Sequence, residues 1–285
     1  MANAALNHHA SQKTLPAGGW GYLWIGDPDR GAGRKQPGGW IYNILPYIEE
    51  TALHDGGKGF APTSAERKAA GAVMIQTPLD VMNCPSRRPA QLFETTTAYA
   101  HFRTPNYSNT VLTVARSDYA GNGGSVPNDP GTPSGPTDAT DAASSTWTAN
   151  YNALFDKTTG VFVAGNTVKL DLVRDGTGKT YLLGEKKLQV VNYYNGVSNN
   201  DNESMYMGAN ADIHSWATTA SPYLAEQDGA GTGENGQFGS AHTGVFQMAF
   251  CDGSVHRIPF EVDPAVHQAL ANRKDGIQVN TASFE

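Results

Sequence analysis

Residues 238–260, FGSAHTGVFQMAFCDGSVHRIPF, carry the strongest constraint on the fold: two apolar-rich runs, VFQMAFC and SVHRIPF, lie on either side of Asp252-Gly253. An Asp-Gly pair between such runs is the leading short-range signal for a β-hairpin, because the favoured turns need backbone angles that these two residues adopt readily. A two-residue turn sets Cys251 opposite Ser254, Phe250 opposite Val255 and Met248 opposite Arg257, with Phe246, Met248, Phe250 and Val255 sharing one face. That face must be covered by another layer. Asp252 and Gly253 are then turn residues. Extended chain rises about 3.3 Å per residue, so His242 lies roughly 30 Å from Asp252 and the two cannot share one ion. His242 is instead expected to fix the loop GSAHTG through hydrogen bonds from its ring.

The rest of the chain agrees with a β-rich body. Only 16% of the 285 residues are charged, while 32 Gly and 16 Pro favour turns and short strands over long charged helices. The length suits one elaborate domain, with residues 1–15 as a helical segment and 16–285 as a single globular unit. A net charge of -7 argues against nucleic acid as a partner, which would require a concentrated basic surface. Neither a membrane-spanning run nor a basic-then-apolar signal peptide is present. Cys84 and Cys251, the only cysteines, allow one disulfide or two buried thiols and exclude a four-thiolate zinc site.

Along the chain, Asn3 to Gln12 reads as the end of a helix stopped by Pro16 and Gly18, with Ala4, Ala5, Leu6 and Ala10 as its small apolar contacts. PYIEETALHD reads as a short helix, and Thr63 and Glu66 have the spacing of a capping box for a helix through AERKAAGAVMI. Gly121 to Ser145 holds almost no apolar residues and is expected to be a long exposed loop, around 121–146. GVFVAG, TVKLDLV and KTYLLGE read as strands, NYYNGVSNNDNES as a loop, and DPAVHQALANR as a helix opened by Asp263 and Pro264.

Several residues could carry chemistry. DGTGKT, residues 175–180, lacks the earlier Gly of a phosphate-binding loop, with Val173 in its place, and precedes a strand rather than a helix; it reads as a turn. His8 and His9 point about 100° apart on a helix and read as solvent-facing. Glu185 could be a ligand or a base, though a partner for Lys186, Lys187 or an Arg is the simpler reading. In NNDNES, Asp201 and Glu203 offer oxygen ligands for a hard cation such as Ca²⁺. Trp20, Trp24 and Trp40, with Trp147 and Trp216, lie in loop-like surroundings where aromatic faces could stack on sugar rings, so a solute- or glycan-binding module is one functional class. A hydrolase has no local anchor, since G-x-S-x-G and H-E-x-x-H motifs do not occur.

FGSAHTGVFQMAFCDGSVHRI resembles the signature of the prepilin-type processing-associated family defined by a His, nine residues and Asp-Gly, also called domain of unknown function 1559 and abundant in planctomycetes. ALNHHASQKTLPAGGW, WIYNILPYIEETALHD, LDVMNCPSR, SDYAGNGG, NALFDKTTGVF, VRDGTGKTYLLGEK and DPAVHQALANRKDG match in the family's order, from about Asn3 to Gly276. The chain departs from the pattern mildly, at DGTGKT and HTG. The resemblance implies an α+β, pilin-like fold: the remnant of an N-terminal helix packed on an antiparallel sheet, with large loop-rich insertions. It further implies an engineered soluble ectodomain whose Met1 replaces a membrane-inserting helix, so that the native form would be membrane-anchored. The expected function is a non-enzymatic pseudopilin-like subunit or accessory of a type IV pilus, type II secretion-like or surface assembly. Its partners would be other pilin-like subunits, its location periplasmic, cell-surface or extracellular, and calcium a candidate ion.

Overall fold

In the computed structural model, which describes residues 1–95, 111–127, 135–198, 200–229, 233 and 236–280, the hairpin forms one edge of a five-stranded sheet. Helices α1 (Ala2–Gln12), α2 (Trp40–Ile44), α3 (Thr51–His54) and α4 (Ala65–Ile75) precede strands β1 (Leu92–Glu94), β2 (Thr113–Ala115) and β3 (Tyr119–Gly124). Helices α5 (Ala139–Ala142) and α6 (Ser145–Lys157) follow, then β4 (Tyr181–Glu185), β5 (His214–Trp216), β6 (Glu226–Gln227), β7 (Gly239–Ser240), β8 (Val245–Phe250), β9 (Val255–Pro259) and α7 (Pro264–Ala271). The main sheet runs β5-β3-β4-β8-β9. All its pairs are antiparallel except β3 with β5, so the sheet is mixed rather than purely antiparallel.

The hairpin register differs by one residue from the expected one. Met248 pairs with His256 and Ala249 with Val255, and the connection is the three-residue turn Cys251-Asp252-Gly253, closed by Gly253 N–H to Phe250 C=O at 2.9 Å and Phe250 N–H to Ser254 C=O at 2.9 Å. Gly253 takes φ 91°, and the Asp252 carboxylate accepts the Ser254 N–H at 2.9 Å. A third residue therefore enters the turn, which moves Val255 to the opposite face, where it is exposed.

Two cores lie on the two faces. Phe246, Met248, Phe250 and Ile258 pack with Ala269, Leu270 and Ala271 of α7; on the other face Leu183, Ala249 and Cys251 belong to the core that takes in Ala4 and Ala5 of α1. Asp263 caps α7 by accepting the Ala265 N–H at 2.7 Å, while α4 is capped by Ser64, one residue after the expected Thr63. His8 is buried, not solvent-facing: it sits on the inner side of α1 with Nδ1 2.9 Å from the Thr14 carbonyl, and burial pushes it down to about 4.

The expected exposed loop at 121–146 is the main correction. Gly121–Gly124 is the inner part of β3 and is buried, 139–142 is helical, and only the stretch 128–134 lies outside the described residues. Counting apolar side chains misses this strand because its glycines are packing surfaces: a Cβ at Gly121 would overlap Phe162, and one at Gly123 would overlap Trp216. Asn122 satisfies itself inside the core, donating to Tyr181 C=O at 2.8 Å and Ala271 C=O at 2.9 Å, which ties the sheet to the end of α7. GVFVAG and TVKLDLV are not strands: the first runs as turns bonded to β3 through Val161 and Phe162 N–H on Asn122 C=O, and the second carries a short 3-10 segment, Leu170–Leu172, beside α1.

A Cβ at Gly160 would overlap the backbone of Gly123 and Asn122, which cannot swing aside as a side chain can, whereas Gly33 has open space around it. Gly160→Ala is expected to destabilise the protein by about 1–3 kcal/mol, and Gly33→Ala to stay within about 0.5 kcal/mol of the parent, as read by urea unfolding.

Candidate functional site

Cys84, Glu185 and His242 converge beside the sheet from three separate segments. Cys84 opens the turn NCPSRR, whose Arg87 and Arg88 N–H groups return to the Cys84 carbonyl at 2.9 and 3.1 Å; the Cys84 N–H donates to Asp118 Oδ2 at 2.8 Å. Glu185 ends β4 opposite Tyr119, and where pairing with β8 stops its Oε2 accepts the Gln247 N–H at 2.9 Å. His242 lies between β7 and β8. The expected ring contacts to its own loop are replaced by others: the loop is held through Ser240, whose Oγ accepts the His242 N–H at 3.1 Å and donates to Val245 C=O at 2.7 Å. The ring is thereby free to face across to the other two residues.

His242 Nε2 lies 3.2 Å from Glu185 Oε1 and 3.8 Å from Cys84 Sγ, and the donor atoms of all three residues lie within 4.8 Å of one another. Cys84 and Glu185 are buried; the His242 side chain is 29% exposed. Burial raises both the Glu185 carboxyl and the Cys84 thiol, against which the Gln247 N–H and His242 favour the carboxylate and the Ser86 N–H favours the thiolate. One imidazole nitrogen faces both other groups. A nucleophilic relay needs the two ring nitrogens to serve different partners, so the arrangement is a convergent set of donors, not a Cys–His–Glu triad.

Beneath this cluster lies a buried ion network. Arg88 donates to Asp118 Oδ1 at 2.9 Å and to both oxygens of Asp201 at 2.5 and 2.9 Å, and Arg87 reaches Asp228 at 2.8 Å and Asp118 at 3.3 Å. Lys186 spends its three donors on Asn200 C=O, Asp201 Oδ1 and Asp212 C=O, at 2.6, 3.0 and 2.9 Å. The guanidinium groups of Arg88 and Arg116 both lie over the Phe93 ring, at 4.6 and 4.8 Å.

These contacts correct three site readings. Asp201 is no calcium ligand: both oxygens are taken by cations, and Arg88 and Lys186 hold its carboxyl below the ordinary range in spite of burial. Glu203 is separate, bonded to Asn202 and Asn210 at 2.9 and 2.8 Å, its carboxyl pushed well up by burial and by the neighbouring Asp212. Trp20, Trp24 and Trp40 are buried, with each indole N–H bound to a backbone carbonyl, of Arg34, Pro136 and Ile213 respectively. They present no face to a sugar. Glu185 pairs with His242 rather than with a Lys or Arg, since Lys186 goes to Asp201 and Lys187 to Glu226. Cys84 and Cys251 are both free and buried.

Sequence reasoning missed Cys84 and Glu185 as partners of His242, because 158 positions separate Cys84 from His242. The available signal was that NCPSR, LLGEK and the His-to-Asp-Gly stretch each hold a residue able to ligate, Cys84, Glu185 and His242.

Asp201→Asn leaves Arg88 and Lys186 without their shared countercharge and is expected to destabilise the protein by about 3–5 kcal/mol. The parent's own acid response has a fixed sign. Because the folded carboxyl titrates below its ordinary 3.8, the Asp201 contribution is complete above that value and is lost as pH falls through the folded one. Denaturation midpoints should fall below about pH 4 in the parent and less steeply in Asp201→Asn.

A family model described as "Protein of unknown function (DUF1559)" matches residues 1–265. No curated protein and no solved structure gives a significant match. No helix among the described residues is long and apolar enough to cross a membrane.

Proposed function

Because the chain belongs to the DUF1559 family, the prepilin-type processing-associated group with the His-X9-Asp-Gly signature, we propose that it is a non-enzymatic, pilin-like extracytoplasmic protein, a subunit or accessory of a filament or secretion assembly. The observation that carries this reading is the seating of α1. Its small residues Ala4 and Ala5 are buried in the core on the sheet face that α7 leaves free, the relation expected between a pilin-type helix and its sheet. Met1 and Ala2, at the start of α1, line a groove of about 150 Å³ with Leu183, Gly184, Ala249 and Val255. An apolar groove beside that helix suits the helix of a neighbouring pilin-like subunit. A net charge of -7 argues against nucleic acid as the partner.

In cells that make the protein naturally, protease added to spheroplasts should digest it without lysis, and it should appear with other pilin-like subunits in the sheared surface fraction. Resistance to protease until lysis would contradict the location. Val255 is 61% exposed, so Val255→Glu should leave stability within about 0.5 kcal/mol of the parent. It should nonetheless deplete the protein from the sheared fraction, and an unchanged yield would argue against assembly through this groove.

A further inference from the structure

We propose that Cys84, Glu185 and His242 form a binding site for a thiophilic divalent transition metal, with zinc as the preferred ion. Tetrahedral zinc holds sulfur at about 2.3 Å and nitrogen or oxygen at about 2.0–2.2 Å, which sets the tetrahedron's edges near 3.6 Å for S to N and 3.4 Å for N to O. The two edges in this protein measure 3.8 Å, Cys84 Sγ to His242 Nε2, and 3.2 Å, His242 Nε2 to Glu185 Oε1. Along these two of the three edges a metal needs side-chain shifts of only a few tenths of an ångström, and the third, Cys84 Sγ to Glu185, lies within 4.8 Å.

The ligand chemistry selects the metal class. Thiolate and imidazole together disfavour calcium and magnesium, which take oxygen shells, and suit zinc and its neighbours in the first transition row. Charge agrees. A thiolate and a carboxylate around a divalent cation sum to zero, so the ion would offset the cost of burying both anions at Cys84 and Glu185. Binding displaces the Cys84 proton to solvent as the metal–sulfur bond forms, with no change of oxidation state, so affinity falls as pH falls.

Each ligand is held by a neighbour that does not compete for the metal. Gln247 N–H occupies Glu185 Oε2 and leaves Oε1 facing the cluster, Ser240 orients the His242 backbone, and Asp118 fixes the Cys84 N–H. Such outer contacts orient ligands in known metal sites. Three protein ligands leave a fourth position, which would be taken by water. The metal would join the 84–88 turn, the end of β4 and the β7–β8 loop. The inference uses neither α1 nor the groove, and so stands independently of the assembly reading.

Cobalt(II) tests it on the purified 285-residue chain, because a cobalt–thiolate bond gives a near-ultraviolet charge-transfer band. The expected result is one equivalent of Co²⁺ bound with that band, bleached by Zn²⁺, absent in Cys84→Ser and retained in Cys251→Ala, since Cys251 lies at the far end of β8 with its thiol on Tyr181 C=O. His242→Gln, at a partly exposed position, should fold and weaken Co²⁺ binding by more than about 10-fold, the minimum cost of losing even an outer-shell partner. Zn²⁺ should raise the Tm of the parent and leave that of His242→Gln unmoved. A parent chain that gives no charge-transfer band, or uptake and Tm shifts that are unchanged in His242→Gln, would overturn the proposal, whether or not Cys84→Ser folds.

Discussion

The contact of Arg88 with Asp118 and Asp201 is the constraint on which the rest of the structure depends. All three side chains are buried, where an isolated charge would cost far more than any single contact returns, so the arrangement exists only if every charge is matched. It is matched by groups from segments with almost no regular structure: the 84–88 turn, the end of β4 at Lys186, and the stretch around 193–212 that supplies Tyr193 C=O, Asn200 C=O, Asp201 and Asp212 C=O. Loops of this length cannot hold themselves through a ladder. Their carbonyls are instead taken by guanidinium and ammonium donors, which lets them lie inside the protein.

The same network reaches the candidate site by one bond. Asp118 accepts from Arg88 on Oδ1 and from the Cys84 N–H on Oδ2, so the carboxylate that neutralises the core also aims the segment bearing the thiol. Tyr119, next in sequence, pairs with Glu185. The donors of the cluster are thus placed by a rigid interior, while His242 arrives on a surface loop. This division explains a set that is fixed on two sides and open on the third.

Legibility in the sequence followed the range of the interactions. The hairpin, α7 with its Asp263 cap and the helix ending at Gln12 depend on neighbours a few residues away, and their turn or cap residues are visible in the text. The register failed by one residue because whether Cys251 belongs to the strand or to the turn is settled by its N–H bonding to Thr180 C=O, far off in sequence. β3 failed because, from Gly121 on, YAGNGG buries glycine surface against Phe162 and Trp216, an apolar contact to which residues 121–124 bring no apolar side chain. Trp20, Trp24 and Trp40 sit among Gly and Pro, so the text resembles a loop; in the fold all three rings are buried, and Gly135, far along the chain from Trp24, closes against the Trp24 ring. Asp201 read as a cation ligand in NNDNES because its partners, Arg88 and Lys186, lie elsewhere in the chain.

If one buried network holds these loops together, replacing its central cation loosens all of them at once, and hydrogen exchange in Arg88→Met reads this out. Protection is expected to fall in concert over 84–88, 185–187 and 200–213, where the network bonds lie, while the β8–β9 hairpin keeps its protection, since its own ladder, α7 and the Cys251 N–H to Thr180 C=O bond all lie outside the network. A loss confined to the turn that bears the substitution, with the 200–213 stretch exchanging as in the parent, would contradict this.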